Sequence, residues 1–218
     1  MAQLTEREEI CRAGRSLFER RYTHGTTGNI SVKVDNGWLF TPTNASLGEL
    51  DPLRLAHVDA QGALISGDPP TKEAILHMRI YEARPDARAI VHLHSTHSVA
   101  VSCLSEASSE DVLPPLTAYY VMRVGRLPLV PFELPGTTAL ADAVGTMART
   151  SKALLLAHHG PIVAGATLAE AMSAIEELEE TARLWLMLQG RDYRTLSEEQ
   201  VAAVREAFLP GVRDQSVR

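Results

Sequence analysis

Three histidines occur within six positions of the segment AIVHLHSTHS, residues 89–98, directly after an apolar run. His92 and His94 are two residues apart, so in an extended strand their side chains project from the same face. Two neighbouring imidazoles can bind one divalent cation, at about 2.0–2.1 Å in the case of zinc. Neutral imidazole also suits iron and manganese, so these residues alone leave the identity of the metal open.

A second apolar run, ALLLAHHGP, ends in His158 and His159. Adjacent strand residues face opposite ways, so one of this pair, not both, is expected to complete the metal site. A single His-x-His pair is more often explained by local hydrogen bonding, but two apolar strands that both end in histidine favour a metal. His97 can orient a ligand, touch the substrate or do neither. The other histidines considered are interpreted as structural, namely His24, His57 and His77.

Glu73, in the segment PTKEAILH, is predicted to lie in the first turn of a helix. A carboxylate there is often explained by the helix dipole, which it complements by about 0.3–1 kcal/mol. The alternative role is that of a general acid/base, which has to lie close to a metal-bound substrate.

Small and hydroxyl-bearing residues in GTTGNIS and TPTNAS, together with the TK dipeptide before Glu73, indicate a possible phosphate site. Backbone amides at glycines and at a helix N-terminus approach anions closely, and hydroxyls and a lysine add donors. Each segment alone is more often an ordinary turn. Neither a Walker loop nor a GxGxxG fingerprint occurs in the sequence.

The hydrophobic pattern predicts the elements that carry these residues. Residues 30–34 alternate between apolar and polar, which predicts a strand, and Asn36-Gly37 predicts a hairpin turn after it. AIVHL, LPLVPFEL and ALLLAHH are predicted as further strands. Capping boxes that begin at Thr5 and Thr167 predict two helix starts. Hairpins mixed with helices indicate an α/β sandwich rather than a regular parallel, doubly wound sheet.

The composition limits the class of protein. A chain of 218 residues with 45% hydrophobic and 22% charged residues suits one globular domain, residues 1–218, with a loose tail from about residue 209. The net charge of -6 without a basic cluster argues against nucleic acid as a partner. Two separated cysteines, the charged first segment and the lack of a long apolar run predict a cytoplasmic protein without a signal peptide or membrane helix.

TTGNIS, TPT, Glu73, HLH and AHHGP, in this order and spacing, resemble the class II aldolase/adducin family from about residue 5 to residue 190. The segments LDPLRLAHVDAQGALISGDPPTKE, AIVHLHSTHSVAVSCL, AYYVMRVGRLPLVPF and AIEELEETARL are most similar to its branch of 3-oxo-tetronate 4-phosphate decarboxylases. The resemblance implies a three-layer α/β/α sandwich with a central, mainly antiparallel or mixed sheet. It also implies a homotetramer.

The resemblance further implies roles for individual residues. His92, His94 and His159 match the metal histidines of the family, and Glu73 matches a catalytic acid/base that also reaches the metal when substrate is absent. Tyr119 aligns with a tyrosine near the reacting carbons, although its neighbour Tyr120 leaves this register open. The positions that match the phosphate site or lie beside it are Gly28, Asn29, Thr43, Asn44, Thr71 and Lys72.

This chain departs from the aldolases at two places. They often have paired small hydroxyl residues where this chain has Thr71-Lys72, and glycine where it has Asn44. Lys72 is therefore a candidate contact for a carboxylate or a phosphate that the aldolases treat differently. The C-terminal residues that complete the aldolase site have no counterpart that can be matched in this chain.

The activity implied is decarboxylation of a 3-oxo-tetronate 4-phosphate to dihydroxyacetone phosphate through a metal-stabilised enediolate. The expected cofactor is Zn²⁺, with Mn²⁺, Fe²⁺ or Co²⁺ as alternatives. The alternative activities are those of an aldolase or a 4-epimerase on another sugar phosphate, such as L-fuculose 1-phosphate. A non-catalytic, adducin-like binding module and a metal-storage or metal-sensing domain remain as alternatives from other classes.

Overall fold

The structure is a computed structural model that describes residues 2–104 and 109–209. The strands are β1 (Asn29–Val34), β2 (Gly37–Phe40), β3 (Ala56–Val58), β4 (Leu64–Ser66), β5 (Ala89–His92), β6 (Leu129–Val130), β7 (Ala153–Leu156) and β8 (Gly160–Gly165). The helices are α1 (Ala2–Glu19), α2 (Ala74–Ala83), α3 (Thr96–Ser102), α4 (Ala118–Arg123), α5 (Thr138–Ala148), α6 (Leu168–Leu188) and α7 (Glu198–Phe208), with a short 3-10 helix at Leu47–Glu49. The predicted loose tail lies outside the described residues beyond Leu209.

The strands form one mixed sheet in the order β4-β3-β2-β1-β5-β8-β7-β6. Every neighbouring pair is antiparallel except β6 and β7, which are parallel. In the centre, Asn29 of β1 lies opposite His92 of β5, and His92 lies opposite Ile162 of β8. Because of this register, Asn29 at the start of β1 and His92 at the end of β5 lie side by side in the sheet.

Helices cover both faces of the sheet, because its central strands are apolar on both sides. Ala89 and Val91 of β5 pack in a core that includes residues of α1, α3, α4 and α6. Ile90, on the opposite face, packs in a second core with residues of α2 and α5. The predicted α/β/α sandwich with a mainly antiparallel, mixed sheet is therefore confirmed. Among the described residues, no helix combines the length and apolar character needed to cross a membrane.

Several boundaries differ from the predicted ones. Helix α1 begins at Ala2, so Thr5 lies inside it and is not its N-cap; Ala, Gln and Leu, which precede Thr5, are good helix formers. The hairpin turn consists of residues 35–36, because Gly37 takes the positive φ of 105° and is already the first residue of β2. Strand β6 contains only Leu129–Val130, since prolines flank it and cannot donate to a sheet.

Candidate functional site

The candidate site lies at the end of β5, on the face of the sheet that α2 covers. His92 is the last residue of β5, and Ile90, two residues before it, packs against the α2 and α5 side. Glu73 is the N-cap of α2 rather than a residue of its first turn, and its side chain makes no capping hydrogen bond. Its carboxylate is instead directed towards His92 and Asn29.

The second histidine segment is a turn, not a strand end. Residues 157–159 connect β7 to β8, and His158 adopts a left-handed conformation with φ of 56°. Gly160, which follows this turn, has φ of 148°, and a Cβ atom there would lie 2.2 Å from the carbonyl oxygen of Leu93. A glycine is needed here because the turn packs backbone to backbone against the segment between His92 and His94.

Glu73, His92, His94 and His159 converge so that one ligand atom from each lies within 4.8 Å of the other three. The Nε2 atom of His92 lies 3.2 Å from Nε2 of His94 and 3.3 Å from Nε2 of His159. The carboxylate of Glu73 lies 3.5 Å from Nε2 of His92 and 3.2 Å from Nε2 of His159. His94 lies beyond the end of β5, but the alternation of the strand continues far enough to place it beside His92.

The chemistry of this cluster fits a bound cation. His92 donates from Nδ1 to the carbonyl oxygen of Pro161 at 2.8 Å, so its Nε2 carries the lone pair that points into the cluster. Oε1 of Glu73 is buried and accepts no hydrogen bond. Lone pairs of imidazole and carboxylate that face one another at this spacing repel, and a divalent ion between them removes the repulsion. Three imidazoles and a carboxylate suit zinc and other divalent transition metals.

Burial keeps His92 and His94 unprotonated. The pKa of His92 is lowered to about 3, chiefly by desolvation, and that of His94 is lowered to about 4 for the same reason. Burial alone would raise the pKa of Glu73, but His92, His159 and the hydrogen bond from Asn29 outweigh it, so the pKa is held below its ordinary value. His92, His94 and Glu73 are therefore in the protonation state that binds a metal at neutral pH.

The metal-free protein is expected to lose stability as the pH falls from about 6.5 towards 4. The pKa values of His92 and His94 are lower in the folded than in the unfolded protein, so the unfolded chain binds more protons in this window and stability rises with pH. Glu73 acts in the same direction, because the stabilisation linked to its lowered pKa is lost as the pH falls through the ordinary carboxyl range.

Since one pKa unit corresponds to about 1.4 kcal/mol, the free energy of unfolding should fall by several kcal/mol across this window. Urea unfolding of chelator-treated protein at a series of pH values measures it. The free energy of unfolding should depend less steeply on pH in a His92→Ala variant. A free energy of unfolding that does not change between pH 6.5 and 4 would contradict the assignment of buried, neutral histidines.

The metal cluster opens into a cleft of about 1010 Å³. Glu73, His94 and His159 lie in the wall of this cleft. All the predicted anion-site positions also lie there, namely Gly28, Asn29, Thr43, Asn44, Thr71 and Lys72. Gly28 has φ of 79°, and a Cβ atom there would lie 3.0 Å from the carbonyl oxygen of His92. Asn44 has φ of 57°, a conformation that asparagine tolerates better than most residues.

Other candidate residues lie elsewhere. Tyr119 is 58% exposed on α4 and is not among the described residues that line the cleft, whereas Tyr120 is buried in the core at 1% exposure. His97 donates from its backbone N–H and from Nδ1 to Glu179, so its observed role is to fix the start of α3 against α6. His158 lines the cleft without joining the metal cluster.

The cleft also contains residues that were not among the predicted site residues. They include His24, Thr96, Val99, Pro135 and Gly136. Thr96 and Val99 belong to α3, which directly follows the HLH segment. Their closeness in sequence to His92 and His94 could have predicted that they line the cleft. Pro135 and Gly136 come from the loop before α5, and no motif in the sequence linked that loop to the histidines.

Residues 8–186 match the family model of the class II aldolase and adducin N-terminal domain. A relative from Cupriavidus necator, named 3-oxo-tetronate 4-phosphate decarboxylase, is 49% identical over 95% of this chain and 94% of its own length. An L-fuculose phosphate aldolase of Escherichia coli O6:H1 is 35% identical over 84% of this chain and 85% of its own length.

Among solved structures, YgbL of Escherichia coli, for which aldolase, epimerase and decarboxylase activities are given as alternatives, superimposes with a TM-score of 0.91. It is 43% identical, and the match covers 94% of this chain and 100% of that chain. Fold, metal-ligand geometry and sequence match agree: the chain belongs to the class II aldolase and adducin family.

Proposed function

We propose that this protein is a carbon-carbon lyase that decarboxylates a 3-oxo-tetronate 4-phosphate to dihydroxyacetone phosphate and carbon dioxide. The observation that carries the proposal is the cluster of Glu73 and three histidines, which opens into a cleft lined by anion-binding residues. A relative that is 49% identical along almost the whole chain bears the name of this decarboxylase.

We assign the resident ion as divalent, with zinc preferred and manganese, iron and cobalt as alternatives, and with His92, His94, His159 and Glu73 as its ligands. When bound, such an ion acts as a Lewis acid that stabilises the negative charge left on the ketone oxygen as carbon dioxide departs.

The polar wall of the cleft would orient the substrate. Backbone amides near Gly28 and Asn44, with the side chains of Thr43 and Thr71, would hold the 4-phosphate. Lys72 is exposed at the same wall and would add a positive charge for the phosphate or the carboxylate. Fixing the phosphate would place the ketone and the carboxylate-bearing carbon next to Glu73, which would be catalysis by positioning.

Glu73 would handle the proton. After the bond between C1 and C2 breaks, C2 must gain a proton to give dihydroxyacetone phosphate. Glu73, which is ionised before the reaction, would take this proton from water and pass it to C2. Asn29 occupies one carboxylate oxygen by donating a hydrogen bond of 2.8 Å to Oε2. Oε1, which accepts no hydrogen bond, remains for the proton or the cation.

Tyr119 can act at the reacting carbons only if it reaches the site of another subunit, because it is absent from the described lining of its own cleft. Such a contact needs an oligomer, and we propose the homotetramer that the family resemblance implies, whose mass in light scattering would be four times the 23.8 kDa of one chain. We also place the protein in the cytoplasm as one domain of residues 1–218, without nucleic-acid or membrane partners. Its two free cysteines and its net charge of -6 support this.

A second candidate is aldol cleavage of another sugar phosphate, such as L-fuculose 1-phosphate. The observation in its favour is the aldolase relative that is 35% identical over 84% of this chain. Both reactions leave negative charge next to a ketone, so one site of this geometry suits either of them.

A substrate panel separates the two. Purified, zinc-loaded protein is expected to form equal amounts of dihydroxyacetone phosphate and carbon dioxide from 3-oxo-tetronate 4-phosphate, with a kcat/KM at least about 100-fold above that for L-fuculose 1-phosphate. The unphosphorylated 3-oxo acid is the matched control and should react poorly, since it cannot use the anion site. A preference for the ketose phosphate, or no release of carbon dioxide, would overturn the proposal.

A further inference from the structure

Helix α2 and strand β1 face each other through polar residues at regular spacings. Glu73, His77 and Tyr81 follow one another at intervals of four residues, so they lie along one side of the helix. Asn29 and Ser31 are two residues apart in β1 and project from the same face of the sheet. A buried polar seam therefore runs between the two elements and ends at the metal cluster.

The side chains alternate between helix and strand in a continuous chain of hydrogen bonds. The phenol of Tyr81 lies 3.0 Å from Oγ of Ser31, which lies 2.7 Å from Nδ1 of His77. Nε2 of His77 lies 2.6 Å from Oδ1 of Asn29, whose Nδ2 donates to Oε2 of Glu73 at 2.8 Å. The residues behind Glu73 are at most 5% exposed, so water has little access as a substitute partner.

The carboxylate of Glu73, at the end of this series of hydrogen bonds, determines which group donates and which accepts in each of them. An ionised Glu73 only accepts, so the amide of Asn29 must present its nitrogen to Glu73 and its oxygen to His77. His77 must then carry its proton on Nε2, and Nδ1 must accept from the hydroxyl of Ser31. The hydroxyl of Ser31 in turn accepts from Tyr81. All donors therefore point from Tyr81 towards Glu73.

We propose that His77 is a positioning residue which, through the amide of Asn29, keeps one oxygen of Glu73 engaged and the other directed at the metal and substrate. Asn29 would otherwise be free to turn its amide and bring an oxygen against the carboxylate of Glu73. The kinetic part of this inference rests on the function proposed above. The arrangement of protons does not, and it is tested without substrate or metal.

Nitrogen NMR of histidine in the metal-free protein tests the direction of the chain. His77 is expected to carry its proton on Nε2, whereas His92, which donates from Nδ1 to Pro161, is expected to show the opposite tautomer and serves as an internal reference. The signals are assigned by their absence in the corresponding single variants. A His77 ring that is protonated on Nδ1 or on both nitrogens overturns the proposal, whatever the activity of the enzyme.

Two substitutions separate positioning from packing. His77→Gln retains a side-chain N–H that can donate to Asn29, whereas His77→Met fills a similar volume without a donor. His77→Met is expected to lower kcat and the affinity for zinc by about 10–100-fold with KM within about twofold, and His77→Gln should restore most of both. Tyr81→Phe, which breaks only the far end of the chain, is the control and should leave zinc affinity nearly unchanged.

Thermal unfolding of each variant shows whether it is folded. Equal losses in His77→Gln and His77→Met, or an effect on KM alone, would overturn the positioning role. If the unaltered protein does not decarboxylate the substrate at all, the proposed function fails. The tautomer and the zinc affinities still decide whether His77 orients Glu73.

Discussion

The His92→Ala variant is expected to retain less than about 0.1 zinc ion per chain and to lose activity to background. His92 is the centre of the cluster, because its Nε2 atom lies within 3.5 Å of a ligand atom from each of the other three residues. The hydrogen bond from its ring to Pro161 also orients the ring before a metal binds, so metal binding costs less conformational entropy. Removing His92 takes away the one ligand that lies beside each of the other three, Glu73, His94 and His159.

Metal content after dialysis, measured by plasma mass spectrometry, checks this expectation. His158→Asn is the matched control, since His158 is adjacent to a ligand but outside the cluster, and asparagine tolerates its φ of 56°. The control should keep one ion per chain. Stoichiometric metal in a folded His92→Ala protein would show that the ion is bound elsewhere.

The Glu73→Gln variant should bind its metal at least about 10–100-fold more weakly, yet still be filled when metal is supplied in excess, and should lose about 10²–10⁴-fold in kcat. Glutamine has nearly the same shape and can still accept the hydrogen bond from Asn29, and three imidazoles remain to hold the ion. What the substitution removes is the group that can take up and release a proton beside the substrate. The loss should therefore appear in kcat more than in KM.

Stopped assays of dihydroxyacetone phosphate formation, with metal content measured on the same sample, separate the two effects. Glu82→Gln is the control, because Glu82 lies on the same helix but forms an exposed ion pair with Arg79. That pair is expected to contribute little to stability and nothing to turnover. Unchanged kcat in metal-replete Glu73→Gln protein would exclude Glu73 as the proton donor.

The convergence of His92 and His94 was predictable because their spacing matches the period of a strand. His92 and His94 share a side even though β5 ends at His92, and their Nε2 atoms lie 3.2 Å apart. Three residues separate the end of β5 from the start of α3. The prediction that one member of the second pair faces the cluster agrees with the position of His159. The reason is different, because the pair lies in a turn in which His158 takes a left-handed conformation.

The seam behind Glu73 was not predicted. His77 was interpreted as structural, because the sequence does not tell which strand lies opposite which turn of a helix. The interval of four residues from Glu73 to His77 to Tyr81 was visible, but its meaning depends on β1 presenting Asn29 and Ser31 to that side. Likewise, the role proposed for Tyr119 requires a second chain, whose position no single sequence specifies.

The contact at Gly160 has a consequence for the choice of ion. The hairpin that holds His159 and the segment that holds His94 meet through main-chain atoms, at a distance that would not admit even one methyl carbon. Repacking of side chains cannot widen or narrow that gap, so the bite of the chelate is a property of the backbone. Ions of similar radius should therefore fit equally well, and discrimination among them is left to donor chemistry and to supply in the cell.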